Sequence, residues 1–168
     1  TLVTTTEPTV ATGGNEVVRV DTAAEMAAAV FERGDAADVV VKAAAVADFR
    51  PTGVVDQKIK TRDAPPSLVH DATTDLHAPL GDRKPAGQTL VGFAAETTDV
   101  LEHAGAKLAA KKADLLVAND VSADRVGFEH DTNEVVILSA GGSTPVALAD
   151  KRAIAAAVLD AVEVVRAG

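Results

Sequence analysis

The chain has 168 residues, 47% of them hydrophobic and 24% charged, with a formal net charge of −9, and this length and composition suit one globular domain. It has no cysteine, which excludes disulfides, cysteine-ligated zinc and thiol nucleophiles, and its acidity argues against a nucleic-acid partner, which requires a basic surface. There is no run of about 18 apolar residues and no basic leader, so we expect a cytoplasmic protein without a membrane span.

The first 51 residues contain short apolar runs, which predict strands, and one segment that predicts a helix. Thr22 and Glu25 have the spacing of a capping box, which predicts a helix start. Residues 39–41 are all valine, which predicts a strand buried on both faces. The predicted elements are, in order, a strand at 2–3, a turn at 12–15, a strand at 16–20, a helix at 22–34, a strand at 38–42 and a loop at 43–51.

From residue 52 onward the chain begins with a polar stretch and then resumes the alternation. Residues 52–67 contain Pro65 and Pro66 and show no clear period, which predicts an extended arm. Asp150 precedes an apolar periodic run and predicts a final helix. The other predicted elements are a strand at 68–69, a helix at 74–80, a turn at 82–87, a strand at 89–92, a helix at 98–112, a strand at 114–118 and hairpin strands at 134–138 and 144–148.

Alternating helices and fully apolar strands are typical of a parallel α/β sheet. The two strands on either side of Gly141 and Gly142 predict an antiparallel hairpin. We therefore predict an α/β fold with a Rossmann-like, mostly parallel sheet flanked by helices and an antiparallel hairpin at one edge. Residues 1–168 are predicted to form a single domain.

Three predicted strands are followed by segments of small residues, at 43–50, 92–97 and 118–121. The carboxyl ends of parallel strands meet at one edge of the sheet, where α/β proteins bind ligands. Small side chains let a flat base or a phosphate approach backbone N–H and C=O groups. The sequence therefore predicts a ligand site at this edge, although tight packing alone would also explain such segments.

Individual residues near this edge have two possible roles. Asp48 could accept hydrogen bonds or hold a cation, or it could only cap a turn. Phe93 directly follows a predicted strand and could stack on a nucleobase, or it could belong to the core. Asn119 could contact a ligand or hydrogen-bond a neighbouring loop.

Two lysine pairs could hold phosphates. Lys58 and Lys60 alternate on the predicted arm and would point to one side of it. Lys107 and Lys111 are four residues apart on a predicted helix and would share a face. Both pairs could equally be solvated surface lysines. The four histidines lack metal-ligand spacing, and there is no Gly-x-Gly-x-x-Gly or P-loop.

Five ordered motifs resemble the bacterial phosphopantothenate–cysteine ligase family. They are Ala44-Ala45-Val46-Ala47-Asp48-Phe49, Lys58-Ile59-Lys60, Gly92-Phe93-Ala94-Ala95-Glu96-Thr97, Ala118-Asn119-Asp120-Val121, and Gly127-Phe128 with Asp131 and Asn133. The resemblance runs from about residue 17 to residue 165. Five motifs in order are far more specific than any one of them, so they favour the ligand-binding interpretation over the packing one.

The resemblance implies a CTP-dependent ligation in coenzyme A biosynthesis. In it, the carboxylate of 4′-phosphopantothenate attacks CTP, pyrophosphate leaves, and the acyl-cytidylate reacts with the amine of L-cysteine to release CMP. Mg²⁺ would assist with the triphosphate, through metal ligands that the motifs do not identify. The family is dimeric and is commonly fused to a flavin-dependent phosphopantothenoylcysteine decarboxylase, so a homodimer and a fused decarboxylase domain are implied.

The resemblance also implies the site residues. Lys58 matches the first lysine of the family's arm and would be the catalytic residue as well as a nucleotide contact. The remaining nucleotide-binding residues implied are Ala44, Ala45, Asp48, Phe93, Lys107 and Lys111, with Asp75, Lys60 and Asn119 as further candidates.

The chain departs from the family pattern in two ways. Thr61 replaces the last lysine of the arm, and the family's first strand, Gly-Gly-Thr turn and Asn-x-Ser-Ser-Gly phosphate loop are not found. The alternatives are a non-catalytic nucleotide-binding or dimerisation fragment, and a generic Rossmann-type dinucleotide-binding oxidoreductase. Whether CTP or ATP is preferred is left open by these residues.

Overall fold

A computed structural model of the chain describes residues 1–8, 12–53, 70–73, 77–96, 106, 108–120 and 130–168. The chain divides into two compact units, one formed by Thr1–Glu32 with Ala45–Asp75 and the other by Arg33–Ala44 with Leu76–Gly168. The strands are β1 (Leu2–Thr4), β2 (Val17–Arg19), β3 (Val39–Lys42), β4 (Phe49–Pro51), β5 (His70–Ala72), β6 (Thr89–Glu96), β7 (Leu115–Asp120), β8 (Thr132–Ser139) and β9 (Gly142–Asp150). The helices with full bounds are α1 (Ala23–Gly34), α2 (His77–Arg83) and α3 (Lys151–Ala167), and residues 108–110 are also helical.

The first unit contains two small sheets and most of α1. In one sheet β1 pairs with β2 in parallel, and in the other β4 pairs with β5 antiparallel. The predicted turn at 12–15 is confirmed, because the N–H of Asn15 donates to the carbonyl of Thr12 at 3.0 Å. Gly13 and Gly14 have φ angles of 61° and 85°, which glycine adopts without a steric penalty.

The capping box at the start of α1 is confirmed. Thr22 Oγ1 accepts the N–H of Glu25 at 3.2 Å, and the Glu25 carboxylate accepts the N–H of Thr22 at 3.0 Å. That carboxylate also accepts the N–H of Asp21 at 2.8 Å. These hydrogen bonds satisfy backbone donors that have no partner within the helix.

The same contacts predict an acid-sensitive helix start. The hydrogen bonds from the backbone of Asp21 and Thr22 hold the pKa of Glu25 below its ordinary value. A carboxyl group with a lowered folded-state pKa stabilises the fold at pH above its unfolded value, and this contribution is lost as the pH falls through the folded value. We expect Glu25→Gln to lower the melting temperature at pH 7 and to have a smaller effect at pH 3. Thermal unfolding at both pH values tests this, and an equal difference at the two values would contradict it.

The second unit contains a five-stranded mixed sheet in the order β3-β6-β7-β8-β9. β3, β6 and β7 are parallel, while β8 and β9 are antiparallel to their neighbours. The predicted α/β class and the antiparallel hairpin at one edge are confirmed, in a mixed sheet with two parallel and two antiparallel pairings. Antiparallel β8 and β9 need only a two-residue turn at Ala140-Gly141.

Both faces of this sheet are packed. On one face, Val91, Val117 and Ile137 pack against Ile154 and Val158 of α3. On the other face, a smaller cluster forms around these residues: Ala94, Leu116, Ala118, Leu138 and Leu108. The central strands β6 and β7 are buried on both sides, which explains their nearly continuous apolar sequence.

Helix α3 crosses one face of the sheet diagonally. It is capped by Asp150, whose carboxylate accepts the N–H of Ala153 at 2.8 Å, as predicted. The N–H of Lys151 donates to the carbonyl of Asp131, just before β8. At the other end, the guanidinium of Arg166 donates to the carbonyls of Asp38 at 2.8 Å and Gly87 at 3.3 Å. These carbonyls precede β3 and β6, so α3 runs from the start of β8 to the amino ends of those strands.

Two strand predictions were wrong in extent or burial. The strand at 39–42 is not buried on both faces, because in the described sheet β3 pairs only with β6 and leaves 47% of Val41 exposed. Strands β6 and β7 continue to Glu96 and Asp120, where loops were predicted. Their ends consist of small and polar residues with low strand propensity, and pairing between the two strands overrides that preference.

Other boundaries also differ from the prediction. The predicted loop at 43–51 contains β4, which pairs with β5 at 70–72, whereas the predicted strand at 68–69 lies outside the described residues. Helix α2 spans His77–Arg83 where a helix at 74–80 and a turn from 82 were predicted. None of the helices in the described parts of the chain is long and apolar enough to cross a membrane.

Candidate functional site

The carboxyl ends of β3, β6 and β7 lie at one edge of the five-stranded sheet, as predicted. β6 and β7 remain paired to their last residues, Glu96 and Asp120, whereas β3 ends at Lys42, opposite Gly92. The chain that leaves β3 therefore departs beside β6, four residues before β6 ends. Because β8 is antiparallel to β7, β8 begins at this same edge.

Near this edge, the face of the sheet on which α3 packs carries residues that are less buried than Val91 and Val117. Side chains alternate between faces along a strand, so Phe93 and Ala95 share a face, and their register partners Val117 and Asn119 lie on it too. Val41, the partner of Val91, is on this face as well. Val41 and Ala95 are exposed, and Phe93 and Asn119 are partly buried. We call Val41, Phe93, Ala95 and Asn119 the Phe93 face.

Phe93 has the core role that the sequence left open, and its stacking on a nucleobase stays a prediction. It lies within β6 rather than after it, and part of its side chain packs against the core cluster that includes Val91 and Val117. It is nevertheless incompletely buried. An aromatic ring that is anchored in the core and open on one side is suited to stacking with a flat ligand.

The small residues after β3 are divided between the two units. Ala44 is exposed and belongs to the unit that contains the five-stranded sheet, while Ala45 and Asp48 are exposed and belong to the other. The segment around Asp48 is fixed by backbone contacts: the N–H of Thr73 donates to the carbonyl of Asp48 at 2.8 Å. Thr73 Oγ1 also donates to the carbonyl of Ala47. The Asp48 carboxylate is therefore exposed on a backbone segment that is tied to the end of β5.

Four of the predicted site residues, Lys58, Lys60, Asp75 and Lys107, lie outside the described residues. The first two belong to the chain that links β4 to β5. Those strands pair through Phe49–Ala72 and Pro51–His70.

Lys111 lies in a different place from the one predicted. The helical residues end at Ala110, and Lys111 and Lys112 form a turn before β7. The N–H groups of Lys112 and Ala113 donate to the carbonyls of Ala109 and Leu108, each at 3.2 Å, and Lys112 has a φ of 49°. This is a Schellman motif, which ends a helix with a left-handed residue.

The turn at Lys111 is at the amino end of β7, the opposite edge from the carboxyl ends that carry Asn119. It packs against α2: a Cβ added to Gly81 would overlap the Lys111 carbonyl oxygen, and Lys112 Nζ lies 2.6 Å from a carboxylate oxygen of Asp82. The prediction that Lys111 continues the helix was therefore wrong. Its contact with a nucleotide stays a prediction.

Sequence reasoning missed a polar group that organises the amino edge. The Asp114 carboxylate accepts the N–H of Leu90 at 2.7 Å and Lys84 Nζ at 2.6 Å. The buried carboxamide of Gln88 donates to the carbonyls of Gly34 and Ala37 at 2.6 and 2.7 Å. Nothing in the local sequence distinguishes these side chains from exposed loop residues, because their partners are distant in the chain.

Comparison with known proteins gives consistent matches. The family profile of the DNA/pantothenate metabolism flavoprotein C-terminal domain matches residues 1–165. The coenzyme A biosynthesis bifunctional protein CoaBC of Bacillus subtilis is 49% identical over 127 residues, which cover 76% of this chain and 31% of that protein. The protein of the same name from Mycobacterium tuberculosis strain H37Rv is 40% identical over 166 residues, covering 92% of this chain and 40% of that protein.

A solved structure is also similar. The crystal structure of the C-terminal domain of a coenzyme A biosynthesis bifunctional protein CoaBC matches with a TM-score of 0.70 and 34% identity, over 88% of this chain and 64% of that one. The chain spans between 31% and 40% of the length of the two curated relatives.

Proposed function

Because this chain belongs to the DNA/pantothenate metabolism flavoprotein C-terminal domain family, we propose that it forms the CTP-binding part of a phosphopantothenate–cysteine ligase. The carboxylate of 4′-phosphopantothenate attacks the α-phosphate of CTP, and pyrophosphate leaves. The amine of L-cysteine then attacks the acyl-cytidylate, giving 4′-phosphopantothenoylcysteine and CMP. Holding the activated acid beside the amine makes the second step effectively unimolecular.

The observation that carries this proposal is the Phe93 face. It lies at the carboxyl ends of parallel strands, where α/β folds of the Rossmann-like kind bind nucleotides. In the proposal, the cytosine stacks on Phe93, and the small side chain of Ala44, in the same unit, leaves its backbone open to the nucleotide. Ala45 is a nucleotide contact by the family resemblance. Ala95 adds only a methyl group to this face.

The charged groups in the proposal come from the family resemblance. Lys58 contacts the α-phosphate and is the catalytic residue, with Lys60 and Lys107 as further phosphate contacts. Lys111, at the amino edge of the sheet, is a phosphate contact only by the family resemblance, and its substitution tests that contact. Asp75 and Asn119 are additional nucleotide contacts.

Mg²⁺ would neutralise charge on the triphosphate. Magnesium usually keeps several waters and binds one or two carboxylates together with substrate phosphates. The exposed carboxylate of Asp48 suits either this role or a direct contact with the nucleotide. Its side chain is an oxygen ligand, the type that Mg²⁺ prefers.

The wider setting is also proposed. The two curated relatives are named as bifunctional proteins, so we propose that the full protein carries a fused flavin-dependent decarboxylase domain. We further propose a cytoplasmic homodimer.

CTP-dependent release of pyrophosphate that requires 4′-phosphopantothenate, measured with the full-length protein, tests the ligase activity. Release that does not depend on the acid would contradict it.

Substitution of Phe93 tests the nucleotide site. Phe93→Leu keeps an apolar side chain on the core but removes the aromatic surface, so we expect the Kd for CTP to rise about tenfold, the usual cost of losing one base-stacking contact. Phe31→Leu, in α1, is the matched control and should leave the Kd unchanged. Calorimetric titration measures both. A Phe93→Leu protein that binds CTP like the wild type would remove Phe93 from the site.

A further inference from the structure

Asn119 is a polar side chain on the otherwise apolar Phe93 face. It is the register partner of Ala95 in the adjacent strand, while Phe93 is the partner of Val117. Asn119 is partly buried, and among the described residues no hydrogen bond to its carboxamide is found. Because this carboxamide is partly exposed, it can exchange its hydrogen bonds with water for hydrogen bonds to a ligand.

The spacing of Phe93 and Asn119 suits the two contacts that a nucleobase makes. They lie on neighbouring strands, two residues apart along the strand direction, so their Cβ atoms are about 8 Å apart. Only the methyl group of Ala95 lies beside Asn119 on β6. A base that stacks on the Phe93 ring can therefore extend its edge over Ala95 to the Asn119 carboxamide.

We propose that Asn119 hydrogen-bonds the amino-bearing edge of the nucleotide base, an inference that rests on the proposed function. A carboxamide offers a carbonyl acceptor and an N–H donor side by side. Cytosine presents the complementary pair, its 4-amino group beside the N3 acceptor, and adenine presents its 6-amino group beside N1. Asn119 is thus a specificity-determining residue for amino-substituted pyrimidine or purine nucleotides.

The test combines substitution of Asn119 with removal of the base's amino group. The Kd values of wild type and Asn119→Ala are measured for CTP and for its analogue without the 4-amino group. Removing the amino group should raise the wild-type Kd about tenfold, because the carbonyl of Asn119 loses its donor. In Asn119→Ala the same removal should change the Kd less than about twofold, since the two changes delete one interaction. ATP and its analogue without the 6-amino group form the second arm.

Control variants separate this contact from a structural effect. Asn15, in the turn before β2, is an exposed asparagine outside the five motifs, so Asn15→Ala should keep the wild-type response. Asn119→Asp keeps an acceptor and should keep part of the sensitivity to the amino group, even if Asn119→Ala folds poorly. Equal sensitivity in wild type, Asn119→Ala and Asn119→Asp would overturn the inference.

Two outcomes distinguish failure of the proposed ligase function from failure of the Asn119 contact. A wild-type protein that binds CTP but releases no pyrophosphate with 4′-phosphopantothenate overturns the ligase proposal and leaves the Asn119 contact supported by its Kd values. A wild-type protein that binds neither CTP nor ATP overturns both.

Discussion

Replacing Gly81 with alanine should destabilise the unit that contains the five-stranded sheet by about 3 kcal/mol, near the upper end for overpacking. A Cβ at this position would overlap the backbone carbonyl oxygen of Lys111 and lie 3.1 Å from Lys112 Cβ. Backbone atoms cannot turn aside as a flexible side chain does, so α2 or the turn before β7 must move.

The movement should be costly because neighbouring contacts hold both elements. Lys112 pairs with Asp82 of α2, and Lys84, just after α2, pairs with Asp114 at the start of β7. Asp114 also accepts the N–H of Leu90. Separating α2 from the turn would therefore disturb the amino ends of β6 and β7 together.

Chemical denaturation measures this effect, with Gly53→Ala as the matched control. No heavy atom lies within 4 Å of a Cβ added to Gly53, and its φ is outside the left-handed region, so that variant should have nearly wild-type stability. Equal stability of Gly81→Ala and Gly53→Ala would contradict the close contact between α2 and the Lys111 carbonyl.

Replacing Lys58 with alanine should lower kcat/KM for CTP-dependent pyrophosphate release by about 100-fold or more, the usual loss when one group that stabilises transition-state charge is removed. Negative charge builds up on the phosphate oxygens as pyrophosphate leaves. An ammonium group held beside them stabilises that charge more in the transition state than in the bound substrate. The loss should therefore appear largely in kcat.

Two further variants define the role of Lys58. Lys58→Arg keeps the positive charge but replaces a compact ammonium with a planar guanidinium, so it should recover only part of the activity. Lys151→Ala removes an exposed lysine that the proposal does not include in the site, and it should be fully active. Wild-type kcat in Lys58→Ala would exclude a catalytic role.

The elements that could be predicted from the sequence are those fixed by local contacts. The capping box of Thr22 and Glu25, the Asp150 cap and the turn before Asn15 all depend on residues within a few positions of one another. The hairpin at Gly141 is of the same kind. The parallel arrangement of β3, β6 and β7 also followed from the alternation of apolar strands and helices.

The features that could not be predicted depend on distant partners. β6 and β7 extend to Glu96 and Asp120 because each supplies the other's hydrogen bonds, which their small residues do not indicate. The helix stops at Ala110 because Lys112 adopts a left-handed conformation, a position that sequence patterns assign to glycine. Lys111 consequently lies before β7 instead of on a helix face.

The candidate site was predicted in part. The meeting of three strand ends followed from the parallel topology, and it brings Phe93 and Asn119 onto one face. Phe93 packs on the core but is incompletely buried. We attribute this partial burial to the diagonal path of α3 across the sheet. That path is set by the contacts of Arg166 with Asp38 and Gly87, which are far apart in the chain.

Calorimetric titration of the full-length protein with CTP, with ATP and NADH in parallel, tests the central claim most directly. A nucleotide site on the Phe93 face predicts saturable heat with CTP or ATP, with a Kd between about 1 μM and 1 mM, the usual range for enzyme substrates, and no heat with NADH. Neither heat nor a thermal shift with CTP and ATP, or saturable binding of NADH alone, would contradict it.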